Sequence, residues 1–263
     1  MSLIQTKNGR TVLMKAESMM LVPYVYNSTY GDYVLGSDVY DISEVIGDSI
    51  VIEQSEGDSV TKENEFTNVP LLQTFTGVRY AFTAQCLDLQ NAVLKSVFGA
   101  MTVNGVGGAV AFQDDYTLIY ALVRVRFKDA SLPDVILPKV QLNSKLLINQ
   151  LKTRASQGNI GGAAFSRTIA VRGSGSSGTV LQFNNPTTYT PNTPVVFVPR
   201  THNVLVLHHK GKSADIYSDI NFATGVVSDN ISVNPTNGAW SSSSQQSGGG
   251  TDENIGGGSE NNE

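Results

Sequence analysis

Three histidines are the first place to look for chemistry in this chain. His208 and His209 are neighbours in a segment with strand character, so alternation predicts that they point to opposite faces. His202 stands six residues before His208. A metal centre would need all three and carboxylates such as Asp215 or Asp219 from the following segment. Surface or inter-subunit histidines are the simpler expectation. Ser-His-Asp chemistry is assembled in space, so spacing alone does not exclude it. No G-x-S-x-G elbow between a strand and a helix is found, however, and Gly173–Ser174–Gly175 runs into another strand-like segment.

The glycine-rich stretches Asn104–Gly108 (NGVGG) and Gly158–Gly162 (GNIGG) neither open a helix nor carry the lysine of a phosphate loop, and both read as β turns. Asp114–Asp115 reads as a solvated acidic pair at a strand start. Cys86 is the only cysteine, so an intrachain disulfide and a cysteine-based zinc site are ruled out; it reads as a buried structural thiol. Neither a catalytic centre, a metal nor a cofactor is expected.

The elements that would position these residues are mostly strands. The chain has 263 residues, 40% hydrophobic and 16% charged, which is enough apolar material for a large β domain or two smaller ones. Its net charge of −5 argues against a protein built to grip nucleic acid. No signal peptide or membrane span is expected from 1–26, and the chain reads as one made in a cytoplasm.

Strand character marks Thr11–Met14, Met19–Tyr26, Ser49–Glu53 and Gln73–Ala84, with a turn expected at Lys15–Ser18. It continues through Thr117–Phe127, Val135–Leu142, Lys145–Lys152 and Ala163–Val171. In Thr117–Phe127, Arg124 and Arg126 share one face, and Val123, Val125 and Phe127 the other. One helix is expected over Asp88–Phe98, with Asp88 as N-cap, Leu89, Val93, Leu94, Val97 and Phe98 as its packing face, and Gly99 closing it. Further strands follow Gly173, as a small second lobe over 173–240 or as closing strands of the first unit. Trp240 reads as the last ordered anchor, before an acidic Gly/Ser-rich disordered tail over 241–263.

Charge is unevenly spread. Ten acids and one base lie between Asp32 and Phe66, whereas eleven bases and five acids lie between Val69 and Arg172. Within the acidic stretch, Glu53–Asn68 reads as a long hairpin arm leaving the compact body, carrying Glu53, Glu56, Asp58, Lys62, Glu63 and Glu65.

The order of features from Val39 to Gly99 is a strand with Asp41–Ile42–Ser43, then Gly47–Glu53 (GDSIVIE), the acidic hairpin, Gly77–Thr83 (GVRYAFT) and one helix. It resembles the tail tube (major tail) proteins of tailed bacteriophages, relatives of the inner tube of type VI secretion systems. The resemblance covers about Thr11–Arg172, and the later residues would be an addition.

The resemblance implies a mainly β fold, a barrel or sandwich with one flanking helix over 1–172. It further implies self-assembly into rings, usually hexamers, that stack through the arm. DNA would pass through the lumen without specific binding, other tail proteins would sit at the tube ends, and the subunit would reside in the virion. Two competing readings share the β content: another virion component such as a head decoration, collar or fibre-associated domain, and a carbohydrate-binding β sandwich. The last would want exposed aromatics gathered on one face, whereas Tyr116, Tyr120, Tyr189 and Tyr217 are dispersed along the chain.

Overall fold

The computed structural model describes residues 3–5, 11–13, 16–42, 45, 49–55, 59–63, 70–75, 79–87, 90–105, 107–112, 119–147, 157–173, 177–180, 192–210, 214–221 and 226–242. The fold is mainly β. In chain order the first strands are β1 (Leu3–Gln5), β2 (Thr11–Leu13), β3 (Ala16–Asn27), β4 (Asp32–Leu35), β5 (Tyr40–Ile42), β6 (Val51–Ser55), β7 (Ser59–Glu63), β8 (Pro70–Phe75) and β9 (Arg79–Cys86). Helix α1 (Asn91–Phe98) follows, then β10 (Met101–Thr102), β11 (Val110–Ala111), β12 (Ile119–Phe127), β13 (Asp134–Leu142), β14 (Lys145–Leu147) and β15 (Gln157–Phe165). The rest are β16 (Arg167–Arg172), β17 (Ser177–Thr179), β18 (Asn192–Thr193), β19 (Val196–Val198), β20 (Asn203–His209), β21 (Asp215–Asn221), β22 (Val226–Val233) and β23 (Ala239–Ser242).

The larger sheet runs β4-β3-β12-β13-β15-β9-β6, with β5 beside β3, β14 beside β15 and β19 beside β13. It curls until its edges approach one another. Ile42 lies on β5 at one edge, while Val45 bridges to Cys86 of β9 at the other. Three residues of chain reach no further than about 11 Å and the bridge adds about 5 Å, so the two edges come within roughly 16 Å of each other there. One face of the curl turns inward, and Met19, Leu21, Ile42, Phe82, Ala121, Val123, Leu137, Val140 and Ile160 fill it. Helix α1 adds Val93 and Val97 to this core.

Proline inside a sheet is confined to edges and bulges, and Pro138 obeys this rule. Val123 pairs with Leu137 but Ala121 pairs with Val140, so the extra residue of β13 falls at Pro138–Lys139. The bulge switches which residues of β13 face inward, from Val135 and Leu137 to Val140 and Leu142.

The second sheet runs β17-β23-β22-β21-β20-β16-β18. It packs on the outer face of the β3–β12–β13 region, where Val22, Tyr24, Leu122 and Ile136 meet Ile169, Val171, Val204, Val206 and Ile220. Its other face buries Ala170, Leu205, Tyr217, Ile231, Val233 and Trp240. The chain changes sheets at Ser166, so Arg167–Arg172 joins the later strands, whereas Val196–Val198 returns to the first sheet. The strands after Gly173 therefore share a core with the earlier ones.

Several local expectations are corrected. Ala16–Ser18 is strand, not turn, because β3 runs on to pair Ser18 with Arg126 and Ala16 with Phe127. Ala163–Val171 is two strands in two sheets. Gly158–Gly162 lies inside β15, where these glycines serve close approach and not a turn. A Cβ on Gly158 would stand 2.3 Å from the Phe98 ring, and one on Gly162 would stand 2.0 Å from the Gln141 carbonyl oxygen. Asn104–Gly108 does connect two short strands, β10 and β11, with Gly105 and Gly108 in the left-handed region that favours glycine. Helix α1 is capped at Gln90, with no side-chain cap bond, and so opens after Asp88. Gly99 ends it in the left-handed conformation at φ 75°, and the Ala100 N–H donates to the Leu94 carbonyl at 2.9 Å. Ser241 and Ser242 remain in β23 beyond Trp240, and the rest of the expected tail lies outside the described residues.

Candidate assembly surfaces

The arm segment forms a two-stranded ribbon. Val51 to Ser55 pair with Thr83 to Arg79, and Ser59 to Lys62 pair with Phe75 to Leu72. Every forward step on the outgoing strand matches one backward step on the return, so the two ladders share one register. A shift enters only between Lys62 and Glu63, which pairs with Pro70. The arm thus has an inner ladder, β6 with β9, and an outer one, β7 with β8. Its inner half belongs to the large sheet, while β7 and β8 form a sheet of two strands on their own.

Of the six arm residues singled out above, Glu53 is exposed on β6 opposite Ala81. Lys62 and Glu63 lie on β7 in the outer half. Glu56, Asp58 and Glu65 lie outside the described residues, as does Leu89 of the expected helix face. On α1, Val93 and Val97 are buried, Leu94 and Phe98 half-buried. The Ser96 hydroxyl donates to the Tyr40 oxygen at 2.6 Å, tying the helix to β5.

The outer face of β13, β15, β9 and β6 carries Gln141, Asn159, Gly161, Ala163, Ala81, Thr83 and Val51 around an open depression of about 920 Å³. Among the described residues, Lys145 is the only charged one lining it. That volume would suit a small molecule, but a ligand site gathers several convergent polar groups over an apolar wall. This lining is small, mixed and nearly uncharged, which suits a sheet face that others slide past or lie against.

Arginines gather on one carboxylate between the sheets. Asp134 accepts from Arg124 Nε at 2.8 Å and pairs also with the Arg124 terminal nitrogen. Arg126 Nε stands 3.5 Å and Arg200 Nε 3.7 Å from its other oxygen. Arg200 also lies 3.9 Å from Glu17 and donates to the carbonyls of Phe127 and Asp129. Burial pushes the Asp134 carboxyl up, against the pull of Arg126 and Arg200. A second pair, Arg172 with Asp219, lies under Trp240, whose ring centre is 4.4 Å from the guanidinium carbon. There too burial raises the carboxyl while Arg172 opposes it.

The histidine expectation is corrected by a bulge. Leu207 pairs with Tyr217 and His209 with Ile216, so His208 is the extra residue and the alternation fails there. Both rings meet Tyr30, His208 stacked at 4.8 Å and His209 tilted at 5.3 Å between centroids. His202 is elsewhere, its Nδ1 3.0 Å from the Thr201 hydroxyl. Among the described residues no group of three or more His, Cys, Asp or Glu could hold a metal ion. Cys86 is buried and unoxidised in the large-sheet core.

The tyrosines are less dispersed than chain order suggests. Tyr33 meets Tyr26 edge-on at 5.6 Å and Tyr120 at 5.4 Å, and Lys139 Nζ stands 4.5 Å over the Tyr120 ring. Tyr24 is buried nearby, its hydroxyl donating at 2.6 Å to the carbonyl of Pro138 at the bulge. Burial pushes that phenol well above its ordinary value. Tyr217 is buried in the second sheet, and Tyr116 and Tyr189 lie outside the described residues. Sequence reading missed this cluster because its members come from β3, β4 and β12, and only sheet pairing brings them together.

Among the described residues no helix is long and apolar enough to cross a membrane. No family profile, curated protein or solved structure matches this chain.

Proposed function

We propose that this chain is a structural virion subunit, a tail tube protein that closes into rings of about six and stacks them into a channel for DNA. The observation that supports the reading is the pair of ladders in one register, β6 with β9 and β7 with β8, beside a curled sheet. A two-stranded hairpin is marginal by itself in water. The outer ladder of β7 and β8, a sheet of two strands on its own, therefore gains most by lying on a neighbour. Heterologous contacts of this kind generate rings where the rotation closes and open stacks along the axis. The acids Glu53, Glu56, Asp58, Glu63 and Glu65 give the arm a charge that suits the base-rich half of another copy. A nearly uncharged sheet face offers phosphates little to hold. In this reading the subunit is no enzyme and needs no cofactor; it is made in the host cytoplasm, and other tail proteins cap the tube.

Negative-stain electron microscopy of the purified chain tests it. Rings or tubes with a central channel are expected, and removing 56–65 should leave folded subunits that no longer stack. A chain that stays monomeric at high concentration overturns the proposal.

The tyrosine cluster favours a second reading, a carbohydrate-binding β sandwich. Tyr26 is 62% exposed beside Tyr33 and Tyr120, an arrangement that could stack on a sugar ring. Saturable glycan binding lost in Tyr26→Ala, together with absence of rings, would carry that reading instead.

A further inference from the structure

The seam where the chain passes from one sheet to the other holds a cleft of about 350 Å³, lined by Asp32, Arg167, Thr168, His208, His209 and Lys210 among others. Three independent features build it. The break at Ser166 brings Arg167 to the start of β16, beside the β3–β4 turn. The bulge in β20 turns both histidines toward Tyr30, and bulges of this kind recur where a strand must re-aim side chains next to a site. Gly31, at φ 64°, lets the turn fold back so that Tyr30 reaches them.

The charge balance in the cleft is positive. Among the described residues Asp32 is its one carboxylate, and it is already engaged: Arg167 lies 3.1 Å from one of its oxygens and also donates to the Tyr33 carbonyl at 3.0 Å. Burial would raise the Asp32 carboxyl, but the Tyr33 N–H and Arg167, aided by Lys139, hold it below its usual value, so it stays ionised. Among the described residues Lys210 has no ion-pair partner, and Arg167 Nε is buried with no hydrogen-bond partner. The Lys210 ammonium and the Arg167 Nε, left over beside hydroxyl and imidazole groups, match the oxygens of a carboxylate or phosphate.

We propose that this cleft binds a small ligand through an oxyanion, with Lys210 and Arg167 taking the negative oxygens and Thr168 and His209 placed to add hydrogen bonds. The volume sits at the lower end of small-molecule sites, room for one ring with one acidic group. A phosphate ester and an acidic sugar offer the same chemistry. The inference uses none of the ribbon residues.

The test titrates the full chain separately with inorganic phosphate, glucuronate and glucose, following the histidine Cε1 proton signals by NMR and the heat by calorimetry. Saturable shifts are expected with phosphate or glucuronate and not with glucose. The tighter of the two anions identifies the source, a phosphate group or a sugar carboxylate. Lys210→Ala, at an exposed position, should weaken that binding at least about tenfold, the loss of one charge-assisted hydrogen bond, with unchanged melting temperature. His209→Ala serves as a second variant with the same expectation. No saturable shift with either anion, equal binding of glucose, or wild-type affinity in Lys210→Ala overturns the proposal.

Discussion

Replacing Arg124 with Met tests the reasoning about the buried charges most directly. Arg124 is 1% exposed, and its guanidinium supplies two contacts to one oxygen of Asp134, itself 2% exposed. The variant keeps the bulk and removes the charge. Asp134 is then left with Arg126 and Arg200, both at 3.5 Å or more. Breaking a buried pair from one side costs about 3–5 kcal/mol, because the remaining ion is desolvated without compensation. At about 2–4 °C per kcal/mol for a chain of this size, Arg124→Met should lower Tm by about 6–20 °C. Asp134→Leu should cost a similar amount, since it strands Arg124.

The double variant Arg124→Met/Asp134→Leu should be more stable than either single one. Removing both ions abolishes the desolvation penalty, and Arg126 and Arg200, 28% and 21% exposed at the side chain, can turn to water. Urea unfolding followed by circular dichroism gives the three free energies, and the cycle should show coupling of at least about 2 kcal/mol. Acid should narrow the gap for Arg124→Met, since a carboxyl already pushed up by burial can take a proton. Single variants costing less than about 1 kcal/mol, the range of surface pairs, or a double variant equal to the sum of both, would refute this account.

Two further outcomes follow from the geometry. Gly162→Ala drives a Cβ into the Gln141 carbonyl and should cost at least about 2 kcal/mol by thermal or urea unfolding. Gly107→Ala, with nothing within 4 Å, should stay within about 0.5 kcal/mol of wild type; equal costs would disprove the close-approach argument. Asp32 has a folded-state pKa below its unfolded value. Its stabilising share is therefore present above the unfolded pKa and lost as pH falls through the folded one. Acid titration of wild type and Asp32→Asn should show a stability difference at neutral pH that disappears in acid, and a difference that grows in acid would contradict the assignment.

Alternation made many of the strands legible from the residues alone. Over Ile119–Phe127 alternation separates an arginine face from a valine face, but local pattern does not reveal that Arg124 is buried. That depends on Asp134, which reaches it only because β13 folds back beside β12. GNIGG looks like a turn in sequence because glycine serves both sharp reversals and close contacts; what decides between them is Phe98, some sixty residues away. The histidine pair misled for a related reason. A bulge breaks the period of two on which the opposite-face argument rests, and nothing local to Leu207–His209 announces it. The cleft at Tyr30 is invisible in sequence for the same reason, since its walls come from four distant segments.

The pairing of β3 with β12 sets a timetable for folding. One edge of Ala16–Pro23 pairs with residues about a hundred positions later, and the outer edge of the first half of β13 waits for Val196–Val198, about sixty positions on. During synthesis β3 can pair early with β4 and β5, but its other edge must stay open until β12 is made. High contact order of this sort slows folding and prolongs exposure of strand edges. In a cell crowded with nascent copies of the same sequence, those edges meet sister chains before their own partners exist. The yield of native subunit should then depend on how fast the chain is made as well as on how stable it is once complete.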